Sequence, residues 1–448
     1  GQSAPIIFNG SASRRSNTAD KEIPTGTVMG YGMGRITVAL PDRVTFRLGD
    51  LIFSSSGTPV NGYVDAILKF TENDFLNEGG DFVARVFGAP SSSGQITAIR
   101  NVSQLDSSLG QGSQMIFTNN IIFSINAPFD RTTWKNLQSP IQTVAMQDYG
   151  AVSQQGTIPI NGDIHYRSIN GVQSLILAVR SFGEPGNTPI STEMDRILKH
   201  DTERLLRYES AVNFDNRQLR TCSPVDTELG VYHRALAVMD FHLISSLSGK
   251  LPPVWEGIWT GLKILAITKG IVNGTERCYA MVLSDANEFQ LWEITKEGRF
   301  DEEQSRIRWS VELPSYNFQT PTDLKRLFSG DLSLDKIAGQ VDVGLFYRTD
   351  QELCWHDWDT LQFCAKYKDC ADEDVECKDP HTYNELVQVK QKFRTPPDDF
   401  NDTMGKLNRV GQEFQPRIDF TGYCRLKIAR FFAYPEQESQ FTEKRSGE

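Results

Sequence analysis

Four cysteines lie close together in the sequence, and cysteine is a residue type that can bind a metal ion. They are Cys354, Cys364, Cys370 and Cys377, with His356 and His381 nearby. Successive cysteines are separated by nine, five and six residues, whereas a zinc site usually contains a knuckle of two to four. Local disulfides, free thiols and a metal site all remain open for this cluster. We assign no metal and no cofactor from this spacing.

Three tryptophans and two carboxylates could form a carbohydrate site. Trp255, Trp259 and Trp292 would be sugar platforms, and Asp215 and Glu256 would supply the acid and the nucleophile of a glycosidase. Nothing in the sequence sets the two carboxylates at a defined distance. For each tryptophan, packing within the sheet is the preferred interpretation over stacking on a sugar. We assign no catalytic residue and predict that the chain is not an enzyme. We interpret the following as structural or interaction residues: Trp255, Trp259, Trp292, Asp215 and Arg217.

Other residues that look chemical have a structural interpretation. His165 lies in a strand pattern without a partner at a recognisable spacing, so we expect a strand histidine with a satisfied hydrogen bond. The glycines of 30–34 precede a strand, whereas a dinucleotide loop must open a helix. Cys222 and Cys278 lie among apolar residues and are expected to be buried.

The elements that must position these residues are short strands. From 214 to 292, aromatic and branched runs are separated by Gly, Pro, Asn or Asp, which is typical of a propeller, sandwich or barrel. Asn119-Asn120 and Asn170-Gly171 each predict a hairpin turn. One amphipathic helix is predicted at about 190–207, with its apolar stripe on the sheet.

The composition divides the chain into four parts. We predict an N-terminal arm at 1–28, a mostly β, propeller-like domain at 29–300 that contains the helix, and a β-sandwich-like domain at 301–435 with a Cys-rich loop. A polar, flexible tail follows at 436–448. The boundary near 300 follows from a shift to charged residues after Trp292.

The overall charge argues against a general nucleic-acid-binding surface. The chain has 448 residues and a net charge of −11, and neutralising phosphates requires clustered Lys and Arg. The longest apolar candidate, 262–272, is short and contains Lys263 and Lys269, so we expect no membrane span.

Several motifs resemble a known group of proteins. They are 108–112 (SLGQG), 126–134 (NAPFDRTTW), 162–168 (GDIHYRS), 214–217 (FDNR) and 255–261 (WEGIWTG). In these motifs the chain resembles virion structural proteins of tailed phages. More remotely, it is similar to the tail nozzle, or tail tubular protein B, of short-tailed bacteriophages.

The nozzle resemblance implies a β-propeller-containing subunit in a six-fold ring below the tail adaptor. Such a ring forms the distal channel for genome ejection, so the expected partners are copies of the chain in a hexamer, the adaptor and other virion proteins. DNA would pass through the channel without specific binding. The acidic composition of the chain is compatible with this role, because an acidic channel wall repels phosphates. The expected location is the virion tail, after synthesis in the host cytoplasm.

Two other functions compete with this interpretation. A propeller that binds or cleaves host-surface glycans, as an adhesin or depolymerase, would use the tryptophans and carboxylates described above. An accessory decoration protein would differ from a nozzle in its symmetry and position on the particle. A closed ring at the tail axis would favour the nozzle.

Overall fold

The computed structural model divides the chain into two compact units, Gly1–Lys296 and Glu297–Glu448. The structure describes residues 6–8, 13–15, 26–32, 35–48, 86–102, 112–125, 141–145, 150–160, 162–176, 189–225, 231–241, 254–294, 300–301, 305–350, 352–364, 383–384, 389–394, 396 and 410–435. The predicted tail at 436–448 lies outside these residues. Neither helix within the described ranges is long and apolar enough to cross a membrane.

The first unit is built from antiparallel sheets that follow one another along the chain. A small hairpin, β1 (Ile6–Phe8) with β2 (Ser13–Arg15), lies in the segment predicted as an irregular arm. A first four-stranded sheet contains β3 (Val28–Gly32), β4 (Arg35–Ala39), β5 (Thr45–Leu48) and β6 (Val86–Gly88). A second contains β7 (Ile96–Asn101), β8 (Gln114–Thr118), β9 (Ile122–Ile125) and β10 (Ile141–Ala145).

Two further sheets complete the first unit. The third sheet contains β11 (Ile158–Ile160), β12 (Asp163–Ser168) and β13 (Gly171–Ser174). The six-stranded sheet contains β14 (Ala211–Phe214), β15 (Arg217–Cys222), β16 (His233–Asp240), β17 (Val254–Val272), β18 (Thr275–Leu283) and β19 (Phe289–Ile294). In both sheets each strand pairs with the next strand along the chain.

Both predicted hairpins are confirmed. At the β8–β9 turn, the Thr118 hydroxyl accepts a hydrogen bond from the Ile121 N–H at 3.0 Å, and the two asparagines do not need the positive φ that we anticipated. At the β12–β13 turn, Gly171 has a φ of +134°, which glycine adopts at low cost.

The predicted single helix at 190–207 is wrong, because the segment forms two short helices. A 3₁₀ turn, Thr192–Met194, leads into α1 (Asp195–Leu198), and α2 (Glu203–Arg207) follows after a break. Thr202 caps α2 by accepting the Leu205 N–H, which satisfies one of its free donors. The apolar stripe is buried as expected, at Met194, Leu198 and Leu205.

Successive sheets of the first unit share hydrophobic cores. Phe46 of the first sheet packs with Ile99 of the second, and the rings of Phe117 and Tyr166 join the second sheet to the third at 5.2 Å. Val172 of the third sheet packs with Ala235 of the six-stranded sheet. The described part of the chain is thus mostly β, as predicted, and none of its sheets closes on itself.

The second unit contains one large sheet with two long, bent strands. A short pair, β20 (Phe300–Asp301) with β21 (Ser305–Arg306), precedes it. The sheet contains β22 (Arg308–Glu312), β23 (Lys325–Thr349), β24 (His356–Cys364), β25 (Tyr383–Asn384), β26 (Val389–Phe393), β27 (Val410–Gly411) and β28 (Phe414–Pro435). β23 and β28 pair along nearly their whole length.

A bend halfway along β23 lets this sheet curl around a single core. Register shifts lie between Asp335 and Asp342, where Lys336 has a φ of +50°, and such bulges bend a strand. β24, which carries Trp358, and β26, which carries Phe393, pair with opposite halves of β23, yet the centres of these two rings are 4.9 Å apart. The two halves therefore enclose one set of buried residues.

Candidate functional site

The three candidate tryptophans lie on the six-stranded sheet in different surroundings. Trp255 is buried against Met194 and Leu198, and its indole Nε1 donates to the Ile190 carbonyl at 3.0 Å. It therefore fastens the helical segment to the sheet, which supports the packing interpretation.

Trp259 and Trp292 do not form one platform. Trp259 is 40% exposed and pairs with Leu236, whereas Trp292 pairs with Ala280, which in turn opposes Ile267. Ile267 lies eight positions after Trp259 in β17, a distance of roughly 26 Å in an extended strand. Trp292 also donates from its indole to Gln290 Oε1 at 2.9 Å.

The two candidate carboxylates are held by one arginine. Arg217 Nε donates to Glu256 Oε1 at 3.0 Å, and its Nη1 lies 3.3 Å from Asp215 Oδ2. Asp215 is at the β14–β15 turn with a φ of +49°, and Glu256 is the extra residue of a bulge in β17. The structure thus brings Asp215, Arg217 and Glu256 together as a partly exposed ion-pair cluster. Both carboxylates are thus ion-paired to the same guanidinium.

The cysteine cluster is only partly described. Cys354 is an exposed free thiol, and Cys364 ends β24. Cys370 and Cys377 lie outside the described residues, so the choice among disulfides, free thiols and metal stays open. Elsewhere, Cys222 and Cys278 are buried as predicted, and burial raises the pKa of Cys278 to about 12.

His165 has the structural role that we predicted. It is buried in β12, its Nε2 lies 3.5 Å from Asp163 Oδ2, and its Nδ1 is 3.4 Å from Gln218 Nε2. Burial acts to raise the pKa of Asp163, but hydrogen bonds from His165 and Ser174 bring it below its ordinary value.

The charged residues that sequence reasoning missed form a buried junction between the third sheet and the six-stranded sheet. Arg220, fully buried in β15, donates from Nη1 to Glu209 Oε1 at 2.9 Å and to the Gly156 carbonyl at 2.8 Å. Its Nε donates to Gln218 Oε1 at 2.7 Å. A Cβ at Gly156 would collide with the Glu209 carboxylate, so a larger residue there would have to displace this carboxylate from its position beside Arg220.

A second buried pair lies at the same junction and explains the break between α1 and α2. Arg167 of β12 donates to the Leu198 carbonyl at 2.8 Å and lies 3.6 Å from Asp201 Oδ2. Asp201 Oδ1 accepts the Ser223 N–H at 2.8 Å. Burial raises the pKa of Asp201 to about 7, although Arg167 opposes the shift. We name Arg167, Asp201, Glu209 and Arg220 the buried charge junction.

The buried charge junction is suited to holding sheets together. Each of its arginines has a carboxylate partner, and all four side chains are at most 3% exposed. A ligand would have to open the core to reach them. Nothing in the sequence next to these four residues marks them as buried, since Asp201 stands beside other charged residues such as Lys199 and Glu203. Their pairing over 11 and 34 positions could not be read locally.

A cavity of about 270 Å³ in the second unit also contains carboxylates. Asp350, Glu352 and Glu413 line it together with Arg348. Asp350 accepts the backbone N–H groups of Gln412 and Glu413, and Glu352 binds the His356 ring. Two of its three acids thus stabilise the loops that carry them.

Comparison with known proteins adds little to this geometry. No family model and no curated protein matches the chain. It is similar to the structure of an exo-β-1,3-galactanase from Phanerochaete chrysosporium with galactose. The two sequences are 8% identical and the TM-score is 0.28, and the match covers 93% of this chain and 99% of that chain. It is also similar to carbohydrate-binding modules of the β-sandwich superfamily, with 9% identity and a TM-score of 0.12 over 50% and 96% of the two chains. Both TM-scores are too low to assign a fold.

Proposed function

We propose that this chain is a structural subunit of a tailed-phage virion, forming part of the tail nozzle or tail hub. The sequence motifs that resemble virion proteins motivate this function. The observation that carries it is the buried charge junction, which fastens antiparallel sheets that pack in series. That arrangement provides a rigid building block, and in this proposal the first unit is a propeller and the second a β-sandwich.

In this proposal, copies of the chain form a hexameric ring that contacts the tail adaptor and surrounds the DNA path. The wall of such a channel has to let phosphates slide, and an acidic surface repels them whereas clustered cations retain them. The chain carries 57 acidic and 46 basic residues. Acidic residues should therefore outnumber basic ones on the axial surface.

The alternative, a glycan-cleaving propeller, receives less support from the candidate residues. Both of its carboxylates are ion-paired to the same arginine, Arg217, whereas the acid and the nucleophile of a glycosidase would each have to face the sugar. Of its three tryptophans, Trp255 is buried, and Trp259 and Trp292 lie too far apart on the sheet to form one sugar platform. We assign no catalytic residue to this chain.

Locating the chain in assembled particles tests the proposal directly. Electron cryomicroscopy of virions should find it as a closed ring on the tail axis, and native mass spectrometry of the purified chain should find six copies. A peripheral monomer or trimer would overturn the nozzle in favour of a decoration protein. Release of reducing ends from host polysaccharide would establish the glycan-cleaving alternative instead.

A further inference from the structure

One face of the second unit combines cations with exposed aromatic rings. In the ladder, Asp331 of β23 opposes Lys392 of β26 on one side and Arg430 of β28 on the other. Ser333, two residues along β23, opposes Lys390. Residues directly opposite each other share a face of the sheet, so Lys390, Lys392 and Arg430 project from the same side.

Aromatic side chains extend this row along β28. Phe432 and Tyr434 follow Arg430 at intervals of two residues, which keeps them on its face. They are 46% and 55% exposed, and Phe328, 41% exposed, places its ring 4.7 Å from that of Tyr434. We name Lys390, Lys392, Arg430, Phe328, Phe432 and Tyr434 the basic aromatic face.

The charge of this face is opposite to that of the whole chain. Among the residues that the structure describes, the carboxylate in this row is Asp331, which is 4% exposed and lies 3.1 Å from the Lys390 ammonium. Three positive charges and one negative charge leave these described residues net positive, in a chain of net charge −11. All three cations are themselves exposed. The face is therefore complementary to a polyanion.

We propose that the basic aromatic face binds single-stranded nucleic acid. Proteins that bind such strands combine cations that follow the phosphates with aromatic rings on which bases stack. Two of its three rings are phenylalanines, which offer a stacking surface without a hydrogen-bonding group. This choice favours nucleobases over an acidic polysaccharide, the competing polyanion. The inference is independent of the proposed virion function.

Binding of a labelled oligothymidylate to the full chain, followed by fluorescence anisotropy at several salt concentrations, tests the proposal. We expect binding that weakens as salt rises. Phe432→Ala should weaken binding about tenfold without changing the salt dependence, because it removes stacking alone. Arg430→Gln should reduce the slope of log K against log salt by about 0.7, the contribution of one phosphate contact.

Matched substitutions in the first unit provide the controls. Phe289→Ala removes an exposed phenylalanine from β19, and Arg207→Gln removes an exposed arginine from α2; neither should alter binding. Circular dichroism should show that every variant remains folded. No binding of the oligonucleotide at low salt, equal effects of Phe432→Ala and Phe289→Ala, or binding of polyglucuronate in its place would each overturn the proposal.

Discussion

Two arginine–glutamate pairs in the first unit have the same chemistry in opposite surroundings. Arg220 and Glu209 are 2.9 Å apart with side chains 0% and 3% exposed, whereas Arg207 and Glu203 pair on the surface of α2. Water can solvate either member of the surface pair alone. In the buried pair, each charge depends on the other for compensation.

Removing one member of the buried pair should be strongly destabilising. Glu209→Ala leaves the Arg220 guanidinium uncompensated in the core, and we expect it to lower the free energy of unfolding by about 3–5 kcal/mol. Urea denaturation measures this value. The matched control Glu203→Ala should cause no measurable change. Equal effects of the two substitutions would contradict a stabilising role for the junction.

The buried carboxyl of Asp201 should make stability depend on pH. Burial raises its pKa to about 7 from an ordinary value of 3.8, so between these values the folded chain holds a proton that the unfolded chain has released. The contribution of Asp201 to stability is therefore complete below about pH 4 and is lost as the pH rises to about 7.

Substitution of this carboxyl isolates its contribution. Asp201→Asn keeps an acceptor for the Ser223 N–H but cannot titrate. Because only the unmodified chain loses this contribution as the pH rises, the stability of the variant minus that of the unmodified chain should increase from pH 4 to pH 7. Urea denaturation across this pH range measures the difference. The exposed Asp195→Asn on α1 is the control. A constant difference between Asp201→Asn and the unmodified chain would show that Asp201 does not titrate there.

At the scale of elements, a bulge in β17 decides the surroundings of two tryptophans. Trp255 and Trp259 are four residues apart and would share a face in a regular strand. The register shift opposite Val238 and Met239 changes this alternation. Trp255 consequently faces the helical segment, while Trp259 lies on the side of Leu236.

Replacing each tryptophan with phenylalanine separates their roles. Trp255→Phe removes the donor to the Ile190 carbonyl and should lower the free energy of unfolding by about 1–3 kcal/mol, since that partly buried acceptor loses its partner. Because Trp259 is partly exposed, Trp259→Phe should change the free energy of unfolding by less than about 0.5 kcal/mol. Thermal or urea denaturation provides the comparison. A larger loss from Trp259→Phe would contradict this assignment of faces.

At the scale of the whole molecule, each unit has its own hydrophobic core. Leu332, Leu334 and Val343 belong to a core formed within the second unit, whereas Leu219 and Val238 belong to a core of the first. Units with separate cores can unfold separately. The stability of one unit need not therefore follow that of the other.

Calorimetry should resolve two unfolding transitions in this chain. Leu334→Ala, which creates a cavity in the second core at a cost of about 2–5 kcal/mol, should lower the temperature of one transition only. Glu209→Ala should lower the temperature of the other. A single transition that both substitutions shift equally would show that the two units unfold cooperatively.

The sequence by itself determined the features that depend on neighbouring residues. Turn residues between apolar runs predicted the hairpins around Asn119 and Gly171, and apolar context predicted the burial of Cys222 and Cys278. The mostly β character followed from the same local patterns. These features are legible because a turn or a strand is favoured by the residues within it.

Only the tertiary structure decided which distant residues meet. Arg220 contacts Gly156, 64 positions away, and Arg217 bridges Asp215 to Glu256, 39 positions from the arginine. The helix prediction was wrong for the same reason, since Asp201 contacts Arg167 and Ser223 from elsewhere in the unit. Long-range packing and ion pairing override local propensity at such positions, because desolvated charges must find partners wherever the fold brings them.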